Sequence, residues 1–283
     1  MKNNRIKTGM KLFNACVVPT ILFGVESWGK LKEKEKNALN NIQTQFLTKL
    51  LKVPRTTPKS ALMYECNQMK IEHQVNKRKL EYYIELNNRE KDKLEVKIKD
   101  HCKLRDNSYE KDIYELKTKY GITSNIEEMD KTEALKDINE NIQKKNKEEI
   151  EEELRNGSKT KEILNQEKQN YIKSENFENA KIIFQLKFKM LDVKENYKRK
   201  YEPNLICDVC CDQNEDQLHL FKCVMYADIT TKIKGKESVN EILKQNKLAE
   251  IAKTIKEVMK RKEIIKEIKQ SLRKEVSAKK GTN

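Results

Sequence analysis

Four of the seven cysteines fall within one 17-residue window, CDVCCDQNEDQLHLFKC, which also holds one of the three histidines. The spacing Cys207-x2-Cys210-x8-His219-x3-Cys223 puts two thiols on a tight turn. It also puts an imidazole and a thiol four residues apart, on one side of a helical turn. Soft sulfur with imidazole at this spacing is a tetrahedral set that selects Zn2+. Cys211 could substitute for Cys210, and the spacing leaves that choice open. A disulfide framework is disfavoured, because nothing indicates secretion and the cysteine total is odd. Asp208, Asp212, Glu215 and Asp216 lie between the ligands with Lys222 the one nearby cation, and four carboxylates there repel phosphate. Phe221 is expected to pack beneath the metal rather than stack on a base. The zinc is therefore expected to be structural, pinning a module too small to bury enough core alone. Cys16, Cys66 and Cys102 are scattered and read as core or surface thiols.

Nothing else has catalytic spacing. The seven glycines stand singly, so there is no phosphate-cradling loop, and no GxSxG, HExxH or kinase-type set occurs. A two-metal polymerase site needs paired aspartates on an apolar hairpin, and none exists. His73 and His101 sit among charged residues and are expected at the surface. Glu127-Glu128 and Glu151-Glu152-Glu153 read as a solvated face. The chain is read as non-enzymatic.

Charge points to a polyanion. The 283 residues carry 60 Lys+Arg against 45 Asp+Glu, a net charge of +15. Only nine of those cations are Arg, a bias that an AT-rich coding sequence would also produce, so many lysines belong simply to solvated faces. Distribution says more than the total. Residues 1–60 have a balance of +9, residues 125–155 of −5, and residues 232–280 of +9. The favoured phosphate contacts are Lys49, Lys52 and Arg55 after the second helix, with Lys187, Lys198, Arg199 and Lys200 before the cysteine cluster. RNA or DNA is the expected partner. The competing reading is a helical interaction scaffold with no nucleic-acid role.

The elements that position these residues are helical. Hydrophobic residues make up 36% and charged residues 37%, with only seven Gly and four Pro, which excludes a turn-rich β-sandwich or barrel. No stretch is expected to span a membrane, since the longest apolar run, Ala15 to Val25, is short and contains Pro19. No secretory signal opens the chain, so the location is read as intracellular, nuclear or cytoplasmic. Ile6, Met10, Phe13 and Val17 mark one helix face, which Pro19 ends or kinks. Leu39, Ile42, Phe46 and Leu50 mark a second helix over about 33–52. Thr57 reads as an N-cap with Pro58 at the first helical position, and a fourth helix starts near Ile71. The expected architecture is all-α in four parts. Residues 1–90 form a helical domain, 91–176 a charged helical linker, 177–230 a basic helix with the zinc knuckle, and 231–283 a basic amphipathic helix and tail. Within that last helix, 251–276 alternates by four and three residues, weak support for self-association with Lys262 and Lys269 in the seam.

Three segments together resemble a known family. KLFNACVVPTILFGVESW and LLKVPRTTPKSALMYECNQMKIE resemble the thumb that follows the polymerase palm in non-LTR (LINE-like) retrotransposon reverse transcriptases. Phe23-Gly24-Val25-Glu26-Ser27-Trp28 and Thr56-Thr57-Pro58 stand where that family has its apolar turn and its TTP-initiated helix. FQLKFKMLDVKENYKRKYEPNLICDVCCDQNEDQLHLFKC is similar to the family's C-terminal stretch and CCHC knuckle, with Lys187 in place of the usual Arg. The resemblance covers about residues 8–90 and 177–226. It implies a thumb-like bundle and a knuckle that handle element RNA or target DNA, in a fragment without fingers or palm. A third reading, the C-terminal part of an active RNA-directed DNA polymerase, holds only if the chain is part of a longer protein whose palm lies upstream.

Overall fold

The first helical run follows its apolar spacing for about two turns, from Ile6 to Phe13, and then slips by one residue. The computed structural model describes residues 5–103, 108–122, 126–157, 160, 170–197, 200 and 203–280. α1 (Arg5–Leu12) passes through a π-helical turn, Phe13–Val17, into α2 (Val18–Leu22). A π turn carries one extra residue, so Phe13 and Val18 are buried while Val17, expected on the buried face, is exposed. Pro19 does not end the helix. It lies in the first turn of α2, where its missing amide hydrogen costs little. Thr20 Oγ1 donates to the Cys16 carbonyl at 2.8 Å across the same turn. Gly24, in the left-handed region at φ +70°, opens the 3-10 turn Val25–Ser27. By length and composition Arg5–Ser27 is apolar enough to cross a membrane, which the sequence reading did not anticipate. In the fold its Phe13, Val18 and Val25 pack with Ile71 and Val75.

Among the described residues there are helices and turns but no β-strand, so the chain is all-α as expected. It divides into two compact units, one of residues 7–50 and 55–161, the other of residues 1–6, 51–54 and 162–283.

In the first unit, α3 (Glu33–Leu51) buries Gln43 and Leu47 rather than Ile42, which is exposed. The Gln43 side-chain amide donates to the Met69 carbonyl at 2.9 Å, while its Oε1 is buried with no partner among the described residues. Phe46 stacks on Phe13 at 4.3 Å between ring centroids. In α4 (Lys59–Cys66) Pro58, not Thr57, takes the N-cap position. Left-handed Asn67 closes that helix, with the Gln68 amide bonding back to the Met63 carbonyl. α5 (Ile71–Asn87) follows, then α6 (Leu94–Lys103), α7 (Ser108–Tyr120) and α8 (Lys131–Asn156).

Most of the stretch expected as a linker, up to residue 161, belongs to this unit and contributes to its core. α8 packs along α4 and α5. Ala134, Ile138, Ile142, Ile150 and Leu154 form its buried stripe. One apolar residue per turn is enough when a helix lies against two others, so the expected boundary at residue 90 disappears. Asp130 caps α8 by accepting from the Thr132 amide at 2.8 Å.

The second unit contains α9 (Tyr171–Ser174), α10 (Phe177–Lys187), a 3-10 turn (Lys194–Tyr197), α11 (His219–Lys222), α12 (Ala227–Thr230), α13 (Val239–Gln245) and α14 (Leu248–Lys280). The one basic amphipathic helix expected within 231–283 is thus two. Ser238 caps α13, and Asn246 interrupts the run by donating to the Ile242 and Lys234 carbonyls, both at 2.8 Å. Ile251, Ile255 and Val258 are buried on the first half of α14, which packs on α10. Ile264, Ile268 and Leu272 on the second half are exposed.

Candidate metal centre

The cysteine window folds into a short hairpin followed by one helical turn. The Cys207 amide donates to the Gln213 carbonyl at 2.8 Å and the Glu215 amide to the Leu205 carbonyl at 2.9 Å. These bonds flank an isolated antiparallel bridge between Ile206 and Asn214. At the tip Cys211 adopts φ +58°, its amide bonded to the Cys207 carbonyl at 3.0 Å, and the Val209 amide approaches Cys207 Sγ at 3.4 Å. His219 opens α11, whose first turn is held by Asp216 accepting from the His219 amide at 2.6 Å. Cys223 follows its last residue.

This brings one ligand atom each from Cys207, Cys210, His219 and Cys223 within 4.8 Å of one another, an arrangement able to hold a metal ion. His219 Nε2 stands 3.4 Å from Cys210 Sγ. Its Nδ1 is buried with no hydrogen-bond partner among the described residues. A buried imidazole that meets sulfur and no oxygen has the surroundings of a ligand more than of a satisfied core histidine. Cys211 is outside the set. Its exposed Sγ lies 3.8 Å from the Asp208 carbonyl and 3.6 Å from Lys269 Nζ, because the left-handed residue turns away from the ring of ligands. Burial raises Cys207 and pushes Cys223 up to about 12. Cys210 is lowered, since the Gln213 and Asp212 amides outweigh its burial. A metal entering here displaces thiol protons.

Three of the four carboxylates of the loop are engaged within the chain. Asp208 accepts from Lys194 Nζ at 2.8 Å, and Asp216 holds the His219 amide. Glu215 is buried against Lys262, whose ammonium also donates to the Asp192 carbonyl at 2.9 Å. Lys269 bonds the Asp208 carbonyl. Arg261 forks onto Asp228 at 2.6 and 2.7 Å. The two lysines that weaken a coiled-coil seam are therefore used to bind α14 to the knuckle. Phe221, Leu220 and Tyr226 are buried beside it.

Compared with known protein families, curated proteins and solved structures, the chain matches none. The ligand set stands on its own geometry.

The expected phosphate contacts divide. Lys49, Lys52, Arg55 and Lys200 are exposed, with Lys52 lying 5.5 Å from the Phe177 ring centroid. Lys187 is 5% exposed, on the same face of α10 as Ile183 and Phe184, with its ammonium 5.3 Å from the Tyr171 ring centroid. It is a core cation–π partner, not a surface contact. Lys198 and Arg199 lie outside the described residues.

One cluster escaped the sequence reading. His73, expected at the surface, is fully buried in the first unit. Asn76 Nδ2 donates to Tyr120 Oη at 2.8 Å, Tyr120 Oη meets His73 Nδ1 at 2.8 Å, and His73 Nε2 meets Glu149 at 2.9 Å. With the ring proton on Nε2, every group in the chain of bonds is satisfied. Only the distance from α5 to α8 in sequence hid it. The side chains of His101 and Cys102 lie outside what is described.

Proposed function

We propose that this chain is a non-catalytic nucleic-acid-binding module in which a structural zinc ion pins a CCHC knuckle beneath a basic C-terminal helix. The observation that carries it is the four-ligand cluster itself, in a loop where Lys194 pairs with Asp208 and Lys262 with Glu215. Three sulfurs and one imidazole nitrogen suit Zn2+. Ligands at ~2.3 and ~2.0 Å on a tetrahedral ion stand roughly 3.5 Å apart, close to the 3.4 Å between Cys210 Sγ and His219 Nε2. When bound, the ion supplies a cross-link between the hairpin and α11. The three-part resemblance to non-LTR reverse transcriptases supports a nucleic-acid role, as does the net charge of +15. Without paired aspartates, the purified chain is expected not to extend a primer on an RNA template.

The salt dependence of binding tests the reading. If phosphates are held by lysine, log affinity falls against log salt with a slope of about −0.9 per phosphate on B-DNA and about −0.7 on single strands. Replacing Lys198, Arg199 and Lys200 by Ala is expected to weaken binding alike across sequences and to flatten the slope by up to about three phosphates' worth. No binding at low salt overturns the reading. A scaffold role is the second reading, favoured by exposed Ile264, Ile268 and Leu272 on α14. Sedimentation showing a dimer that Ile268→Lys dissolves would favour it.

A further inference from the structure

Two adjoining cavities in the unit of residues 7–50 and 55–161 share Lys30 and Leu31. The larger, about 440 Å3, is walled by Trp28, Leu31 and Leu39. Trp28 is the only tryptophan of the chain and is 38% exposed. The smaller, about 230 Å3, is lined by four lysines, Lys30, Lys36, Lys79 and Lys119, against two carboxylates, Asp112 and Glu115. Glu115 is already paired with Lys30, and Lys36 with Glu33 at 3.3 Å, which leaves Lys79 and Lys119 facing Asp112 alone and the smaller cavity short of one negative charge.

Lys79 is the unusual member. It is 5% exposed on α5, yet it forms no ion pair among the described residues. Its ammonium donates to the Gly29 carbonyl at 2.7 Å, one acceptor for three donors. Burial lowers its pKa against the opposing charge of Asp112. Burying a cation in this way is costly unless an anion completes its surroundings. An apolar cavity with an exposed indole beside a cavity with excess ammonium groups matches a flat base joined to a phosphate. The combined space falls in the ~300–1,000 Å3 range of small-ligand sites.

We propose that this groove binds one nucleotide unit of a single-stranded nucleic acid, its base against Trp28 and its phosphate among Lys30, Lys36, Lys79 and Lys119. The assignment deepens the nucleic-acid reading above and rests on it. It also sets the strand preference. A base in a duplex is stacked and paired and has no free face to offer, whereas a base in a single strand stacks on an aromatic side chain whatever its identity.

Trp28 provides its own probe. The full chain is titrated with labelled oligothymidylate, following anisotropy of the label and emission of Trp28 in parallel, with the same sequence as a duplex and inorganic phosphate as separate arms. The expected result is saturable change in Trp28 emission with the single strand, tracking anisotropy and reversed by salt. The duplex leaves emission unchanged. Phosphate also leaves it unchanged but competes at high concentration. Trp28→Ala is expected to raise the Kd about tenfold, as loss of one stacked base implies. Lys36→Ala with Lys119→Ala should weaken binding while emission at saturation is kept. These two lysines carry the test because Lys79→Met removes a buried group and can unfold the unit. Binding seen by anisotropy, with Trp28 emission unchanged and both lysines dispensable, overturns this site and leaves the broader reading standing. Equal changes in emission with phosphate alone or with duplex overturn the nucleotide and the strand assignment respectively. No anisotropy change at low salt overturns the site and the broader reading together.

Discussion

Cys223→Ser is expected to lose most of the bound zinc and to loosen residues 203–223, while the helical content of the chain barely changes. The contrast follows from where the two kinds of stabilisation sit. The hairpin has a few backbone bonds and one isolated bridge, so its order depends on a cross-link to α11. Structural zinc binding contributes apparent free energies of ~10–16 kcal/mol in small zinc modules, far more than the hairpin's own bonds supply. α10 and α14 have a separate apolar interface that includes buried Ile251, Ile255 and Val258, and it is left intact. Metal analysis, far-UV circular dichroism and limited proteolysis read the three consequences separately. Cys211→Ser is the control and should keep a full metal complement, since its Sγ faces Lys269. Zinc retained by Cys223→Ser, or lost equally from Cys211→Ser, would require a different ligand set. Complete loss of helix in Cys223→Ser would mean that the metal holds the whole unit, not the knuckle alone.

The four clustered side chains were legible because a set able to hold a metal needs residue types and spacings that are local in sequence. The choice between Cys210 and Cys211 was not, because it turns on the sign of one backbone angle at Cys211. Helix existence was similarly local, and the apolar positions of α1 and α5 announce it. Which face is buried is set by less visible features, such as the π turn that carries Phe13 to Val18 or the Met69 carbonyl that accepts Gln43. Lys187 misled for the same reason. Its charge suggests solvent, but its helical phase puts it on the Ile183–Phe184 face with Tyr171 to receive the ammonium. The charged stretch after residue 90 looked too poor in apolar residues to pack. Its sparse stripe on α8 is sufficient only because α4 and α5 present a surface for it, a long-range fact that no window of sequence contains.

The same long-range packing predicts an acid-labile first unit, with Glu149 as its most sensitive group. Burial alone would raise this carboxyl. The hydrogen bond from His73, with the charges of Lys119 and Lys70 nearby, more than offsets it and brings Glu149 down to about 2. The folded-state value therefore lies below the ordinary 4.5, so the ionised carboxylate favours the fold. That stabilisation is complete above about pH 4.5 and is lost as pH falls toward 2. Glu149→Ala also leaves His73 Nε2 buried with only Glu72 Oε1 near it, at 3.7 Å and beyond hydrogen-bond reach. An unmet buried polar group costs about 1–3 kcal/mol, and a lost charged partner adds to it, so the total loss at neutral pH is expected to be roughly 2–4 kcal/mol. Glu149→Gln retains an acceptor oxygen without the charge and should lose less, while its stability falls less steeply with acid. Trp28 lies in this unit and is the sole tryptophan, so denaturant titrations followed by its emission report the unit's own unfolding. Midpoints measured at pH 6, 4 and 3 should converge between the wild-type chain and Glu149→Gln as the carboxylate is protonated. Parallel acid profiles with a constant gap would show that Glu149 carries no depressed ionisation and that α5 and α8 are held together by their apolar stripe alone.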